Sequence, residues 1–207
     1  MKFIYCRGGD MSAPSIAEQA GMAYGVRYDY KAYAPVYMLD AGLSPRWAQY
    51  IRKVRQLKPT FALTPDLEIY RDIETIKLHI ADLRAEGVQL IGVAPKYAGA
   101  LALIPDDPDI VICISIPTQY SGYLPVDDEI RPGNYHLLGG DPVAQAREIQ
   151  RITRLGGTVI SADGNKLAMK AAHGQIFQCG RWIAVQDTTQ NNARISAQNI
   201  MEYINGL

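Results

Sequence analysis

The stretch YHLLGGDPVAQAREIQRITRLGGTVISADGN, residues 135–165, holds the fold in miniature. Tyr135 to Leu138 reads as an apolar strand, Gly139-Gly140 as the turn after it, and Asp141-Pro142 as the cap and first residue of a helix. That helix runs to about Leu155 and turns Val143, Ile149 and Ile152 toward a core. Gly156-Gly157 ends it, and Thr158 to Ser161 is again a strand. Two strands joined this way, by a helix and short turns, are a parallel βαβ unit.

The same alternation extends in both directions. Candidate strands are Phe3 to Cys6, Val36 to Leu39, Thr60 to Leu63, Val88 to Val93, Ile110 to Ile116, Tyr135 to Leu138, Thr158 to Ser161 and Trp182 to Val185. The run Ile110 to Ile116 is β-branched at every position but Cys113 and Ser115, as expected of a parallel strand covered on both faces. Helices are predicted from about Ala13 to Tyr24, from Ser44-Pro45 to Leu57, through Ile69, Ile73, Ile76, Ile80 and Leu83 to Gly87, around Ala98 to Leu103, over Lys166 to Ala172, and over Ala193 to Ile204. Eight strands with intervening helices predict an α/β fold, a small TIM-like (β/α)8 barrel, as a single domain over residues 1–207. The alternative is an open doubly wound sheet.

With 207 residues, 48% hydrophobic, the chain is long enough to bury a core without disulfides or a structural metal. Its three cysteines, Cys6, Cys113 and Cys179, are far apart and odd in number, which fits no disulfide framework and points to a reducing, cytoplasmic setting. No apolar run approaches the ~20 residues of a membrane span, and the glycines and charges after Cys6 interrupt any signal-peptide core. The 21 basic and 21 acidic side chains cancel, excluding a generally basic coat for nucleic acid. Local stripes remain at Arg46, Arg52, Lys53, Arg55 and Lys58 and at Arg147, Arg151 and Arg154, equally readable as solvated helix faces.

In parallel α/β folds, functional groups sit just past the carboxyl ends of strands. There the sequence has Asp40, Asp66, Lys96, Thr118 and Gln119, Gly139 and Gly140, then Asp163 and Asn165. Asp40 and Asp163 each follow an apolar strand and precede a glycine, so two carboxylates meet at one mouth and can divide nucleophilic and proton-transfer work. The competing role is that of loop or cap aspartates accepting neighbouring N–H groups. Asp66 falls in the first turn of the predicted third helix, where the helix dipole alone stabilises it. Lys96 holds an anionic group or is a solvated surface charge. The three histidines are scattered, so no metal site is expected, and no GxGxxG, Walker or GxSxG sequence occurs, so no cofactor is expected.

The motifs Tyr-His-Leu-Leu-Gly-Gly-Asp-Pro at 135–142 and Val-Ile-Ser-Ala-Asp-Gly-Asn at 159–165, with Leu-Asp-Ala-Gly at 39–42, resemble the tRNA-guanine transglycosylases and their phage relatives that insert 7-deazaguanines into DNA. The resemblance implies a TIM-barrel transferase that exchanges guanine for a 7-deazaguanine, with Asp163 as nucleophile at the anomeric carbon and Asp40 as general base. It implies a purine or 7-deazapurine and a nucleic acid as partners. The clustered cysteines that hold zinc in the tRNA enzymes have no counterpart here, which turns the expectation from tRNA toward DNA or a free nucleoside, with phage DNA as the leading substrate. Against it stand two other classes: a non-catalytic nucleotide- or nucleic-acid-binding protein of the same fold, and an unrelated small-molecule barrel enzyme.

Overall fold

The structure, a computed structural model, describes residues 1–7, 9–69, 73–116, 123–164 and 166–206. Eight parallel strands close into a barrel in sequence order: β1 (Lys2–Cys6), β2 (Ala23–Arg27), β3 (Met38–Asp40), β4 (Phe61–Leu63), β5 (Leu90–Val93), β6 (Ile110–Ser115), β7 (Gly133–Leu138) and β8 (Gly157–Asp163). The ring is sealed by β1 on β8, with Lys2 opposite Ser161 and Ile4 opposite Asp163. It is a TIM-like barrel, and the open doubly wound sheet is excluded by that closing pair.

The helices α1 (Ala13–Gln19), α2 (Trp47–Leu57), α3 (Ile73–Ala85), α4 (Ala100–Leu103), α5 (Pro142–Arg154), α6 (Lys166–Ala172) and α7 (Thr189–Asn205) surround it. Among the described residues, none is long and apolar enough to cross a membrane. Strand residues alternate between two cores, as the pleat requires. Phe3, Tyr5, Leu39, Ala62, Ile112 and Ile114 face the helices. Ile4, Met38, Phe61, Leu63, Val111 and Cys113 fill the barrel's interior.

Two expected elements are corrected. The helix predicted over Ala13 to Tyr24 stops at Gln19, and the chain turns so that the Gly21 N–H donates to Glu18 O and the Met22 N–H to Ala17 O. Ala23–Arg27 then becomes β2, pairing with both β1 and β3. The strand predicted at Trp182 to Val185 exists as β10 (Arg181–Ala184), but it pairs antiparallel with β9 (Gln175–Gln178) in a hairpin outside the barrel. The predicted total of eight barrel strands holds because the missed strand and the misassigned one offset each other.

Gly92 shows how tightly the interior is filled. A β-carbon there would overlap Leu63 Cδ2 and come within 2.7 Å of Cys113 Sγ and 2.9 Å of Phe61 Cε2. Gly92→Ala is therefore expected to cost about 1–3 kcal/mol, the usual range for overpacking. Each kcal/mol lowers the melting temperature of a domain this size by about 2–4 °C. An unchanged unfolding curve would mean that these neighbours can retreat without strain.

Candidate functional site

The last inward-facing residues of the strands form the floor and walls of one cavity of about 810 Å³ at the carboxyl end of the barrel. They are Cys6 on β1, Arg27 on β2, Asp40 on β3, Leu63 on β4, Ala94 just after β5, Ser115 on β6, Leu138 on β7 and Asp163 on β8. Alternation makes this layer follow from the one beneath: Ile4, Met38, Phe61 and Cys113 lie inside, so the residues two further on lie inside too. Asp40 and Asp163, paired by the sequence reading, do line the same cavity.

Asp163 is 8% exposed. Its Oδ1 accepts the Gly139 N–H at 2.6 Å. Burial pushes its carboxyl up to about 7, against the pull of that N–H, and the charge of Asp40 pushes the same way. The β7 turn is built to deliver this bond. Gly139 and Gly140 both take positive φ, and a β-carbon on Gly140 would strike the Ile116 side chain. Gln145, buried in the first turn of α5, donates from Nε2 to Gly139 O at 2.6 Å and to Asp163 O at 2.5 Å, tying the ends of β7 and β8 together.

Asp40 is held by the Gly42 N–H at 2.7 Å. Burial raises its carboxyl above the usual range, the Gly42 bond and Arg27 lower it, and Asp66 raises it. The Tyr50 hydroxyl, 3.0 Å from Leu39 O and 2.7 Å from Leu63 O, fixes the strand ends beside it from α2. Cys6 lies between the two carboxylates, and its thiol is driven well above its ordinary value by burial and then by the charges of Asp163 and Asp40. It is therefore a neutral thiol and a poor nucleophile.

On the far wall, Lys96 Nζ lies 3.2 Å from Asp66 Oδ2 and donates to Ser115 Oγ at 2.5 Å. Lys96 thus belongs to the cavity and is not a solvated surface charge. Asp66 is not in a helical first turn. Among the described residues α3 begins at Ile73, and the segment through Asp66 runs beside Pro95, with Leu67 bridged to it. Ile69, expected on the buried helix face, is 83% exposed, whereas Ile76, Ile80 and Leu83 are buried as the spacing predicts. Thr118, Gln119 and Asn165 lie outside the described residues.

The remaining strand-end acid, Asp141, caps α5 by accepting the Val143 N–H, pairs with Lys166 at 2.9 Å and accepts Trp182 Nε1 at 3.1 Å. Beneath the cavity, His136 Nδ1 lies 2.8 Å from Ser161 Oγ, and burial depresses the imidazole to about 3, so the ring is neutral. Among the described residues no group of three or more His, Cys, Asp or Glu side chains could hold a metal ion. Three members of the outer basic stripes are held in ion pairs: Arg55 pairs with Glu86, Arg151 with Asp127 and Glu148, and Arg154 with Asp127.

Sequence reasoning missed Arg27, Tyr30, Arg7, Cys6, Ser115 and Gln145. Arg27 and Tyr30 were hidden by the unrecognised β2, although Ala-Tyr-Gly-Val-Arg after Gly21-Met22 carries a strand's alternation. Gln145 had no signal, because a glutamine in a helix is ordinary until the two carbonyls it bonds are known.

Comparison with solved structures gives a similar fold in a crystal structure described as that of a proposed fructose-1,6-biphosphate aldolase from Coccidioides immitis. The match covers 99% of this chain and 91% of that one, with a TM-score of 0.64 and 10% identity, a likeness of fold alone. No curated protein sequence matches the chain. The sequence model of the family of unknown function DUF6610 matches residues 17–205, nearly the whole barrel, and the chain belongs to that family.

Proposed function

We propose that the chain is a glycosyl-transfer enzyme of the guanine-transglycosylase type, exchanging guanine for a 7-deazaguanine in nucleic acid, with phage DNA as the preferred polymer. The observation that supports it is the meeting of Asp163 and Asp40 in one strand-end cavity. These are the two positions that the sequence resemblance assigns to the nucleophile and to the proton-handling carboxylate.

In this mechanism the ionised Asp163 attacks the anomeric carbon of the target nucleotide. The glycosidic C–N bond breaks, its electron pair leaves with guanine, and the proton held by Asp40 goes to the departing base. Positive charge developing on the sugar is met by the Asp163 carboxylate. The incoming 7-deazaguanine then gives its ring N–H proton to Asp40, and its nitrogen displaces Asp163 from the anomeric carbon, restoring both carboxylates. Asp66, Lys96 and Ser115 on the far wall offer an acceptor and donors to the edge of the base.

The chemistry needs the singly protonated pair with its proton on Asp40, the minor arrangement of that pair, because Asp163 is the group that keeps its proton to about 7. Burial raises both groups; the charge of Asp40 adds to it at Asp163, which reaches about 7, and the charge of Asp66 adds to it at Asp40, so the cavity retains a proton up to about neutrality. The dependence of kcat/KM on pH is expected to be bell-shaped, falling as pH rises through about 7. The direct test is incubation with guanine-containing DNA, or tRNA, and labelled 7-deazaguanine, with quenched samples examined for a covalent protein–nucleic acid adduct. Absence of both incorporation and adduct on either polymer would overturn the reading.

A further inference from the structure

We propose that Arg27, the last residue of β2, and Tyr30, in the segment joining β2 to β3, form a stacking platform for the base next to the reacting nucleotide. The cavity then takes a single-stranded oligonucleotide in preference to a lone nucleoside. This rests on the glycosyl-transfer reading and names the substrate class of that same site.

Both side chains line the cavity that holds Asp40 and Asp163. Arg27 is clamped by two bonds to Asp29, Nε to Oδ1 at 2.6 Å and a terminal nitrogen to Oδ2 at 2.8 Å. Its guanidinium carbon lies 4.7 Å from the centroid of the Tyr30 ring. A two-point clamp fixes the plane of a guanidinium, so two flat groups are oriented before any ligand arrives. Asp29 also cancels the charge of Arg27. What remains is a planar, polarisable surface, suited to a base more than to a phosphate.

Depth decides which base. Tyr30 is 42% exposed and Asp163 only 8%. The nucleotide under attack must bring its anomeric carbon down to Asp163, leaving the platform at the rim for the next base along the strand. The cavity volume, about 810 Å³, lies in the upper part of the ~300–1,000 Å³ range of small-ligand sites, with room for a second planar group. Leu43 and Met169, both exposed, add apolar surface to the same lining. The segment itself, Arg-Tyr-Asp-Tyr-Lys-Ala-Tyr at 27–33, interleaves aromatic and basic side chains, and Lys31 Nζ lies 5.0 Å from the centroid of the Tyr33 ring.

The test is fluorescence titration with two probes, 2-aminopurine deoxyribonucleoside and a short single-stranded oligodeoxynucleotide carrying 2-aminopurine beside guanine. The wild-type chain is expected to prefer the oligonucleotide by about tenfold or more, with the quenching that stacking produces. Tyr30→Ala should collapse that preference and Tyr30→Phe should keep it, while circular dichroism and the melting temperature of both variants match wild type. Absence of the preference in wild type, its survival in Tyr30→Ala, or its loss in Tyr30→Phe would each overturn the platform. Neither probe requires turnover. A chain that fails base exchange yet shows the Tyr30-dependent preference refutes the catalytic reading alone, and an active chain without the preference refutes the platform alone.

Discussion

Asp163→Asn is expected to reduce base exchange on the order of 10³-fold or more, because it removes the attacking oxygen while leaving nearly everything else in place. The amide keeps an oxygen able to accept the Gly139 N–H, so the β7 turn retains its bond, and the Gln145 tie to the residue-163 carbonyl is a backbone contact that no side-chain change touches. Folding and oligonucleotide binding should therefore survive, and the covalent adduct should disappear. Asp40→Asn is expected to cost less, on the order of 10²–10⁴-fold, the usual range for a proton-transfer group. It should also lower the pH at which Asp163 ionises, since the Asp40 charge is one of the causes of its elevation. Measured kcat/KM and adduct yield for the two variants check this. Activity of Asp163→Asn within about tenfold of wild type would remove Asp163 from the chemistry.

The second large effect is on stability. In the folded chain Asp163 keeps its proton to about 7, against an ordinary value of 3.8 when unfolded. Its contribution is therefore fully present below about pH 4 and is lost as pH rises to 7, by on the order of 4 kcal/mol. Asp40 acts in the same direction. His136 acts in the opposite direction. Depressed to about 3 from 6.5, it makes the fold more stable as pH rises between those values. In the wild type the two contributions offset each other between about pH 4 and 6.5, and the profile there is expected to be shallow. Asp163→Asn leaves His136 unopposed by Asp163. The variant and wild type should match near pH 4, and the variant should become the more stable by about 4 kcal/mol at pH 8. Denaturant unfolding at the two pH values measures this difference. A variant no more stable than wild type at pH 8 would mean that Asp163 is solvated well enough to ionise normally.

How far the sequence could be read depended on whether each signal was local. Asp40 and Asp163 were visible because each closes an apolar strand, and parallel strands of one barrel send all their carboxyl ends to one face. Arg27 was lost with β2. Ala13 to Tyr24 is rich in helix formers, and Gly21 alone marked the turn that frees Ala23–Arg27 to pair. The Trp182 segment was misplaced for a different reason. Its alternation of side chains is real, but a strand's pattern does not say which partner it finds, and the Cys179-Gly180 turn, both residues at positive φ, folds it back on β9. Lys96 was ambiguous until Asp66 and Ser115 were seen beside it, since an ion pair across strand ends leaves no trace in spacing.

The seam between β1 and β8 has a bearing on how the protein is made. Ile4 and Asp163 are neighbours across it, yet almost the whole barrel is synthesised between them. Contacts this distant in sequence form late, after the loop they close has been ordered. Until the eighth strand has been made, the chain holds Asp40 without Asp163, and the wall that β8 gives to their common cavity is missing. On the proposed reaction, chains that end before β8 are expected to be inert toward substrate, since they lack Asp163.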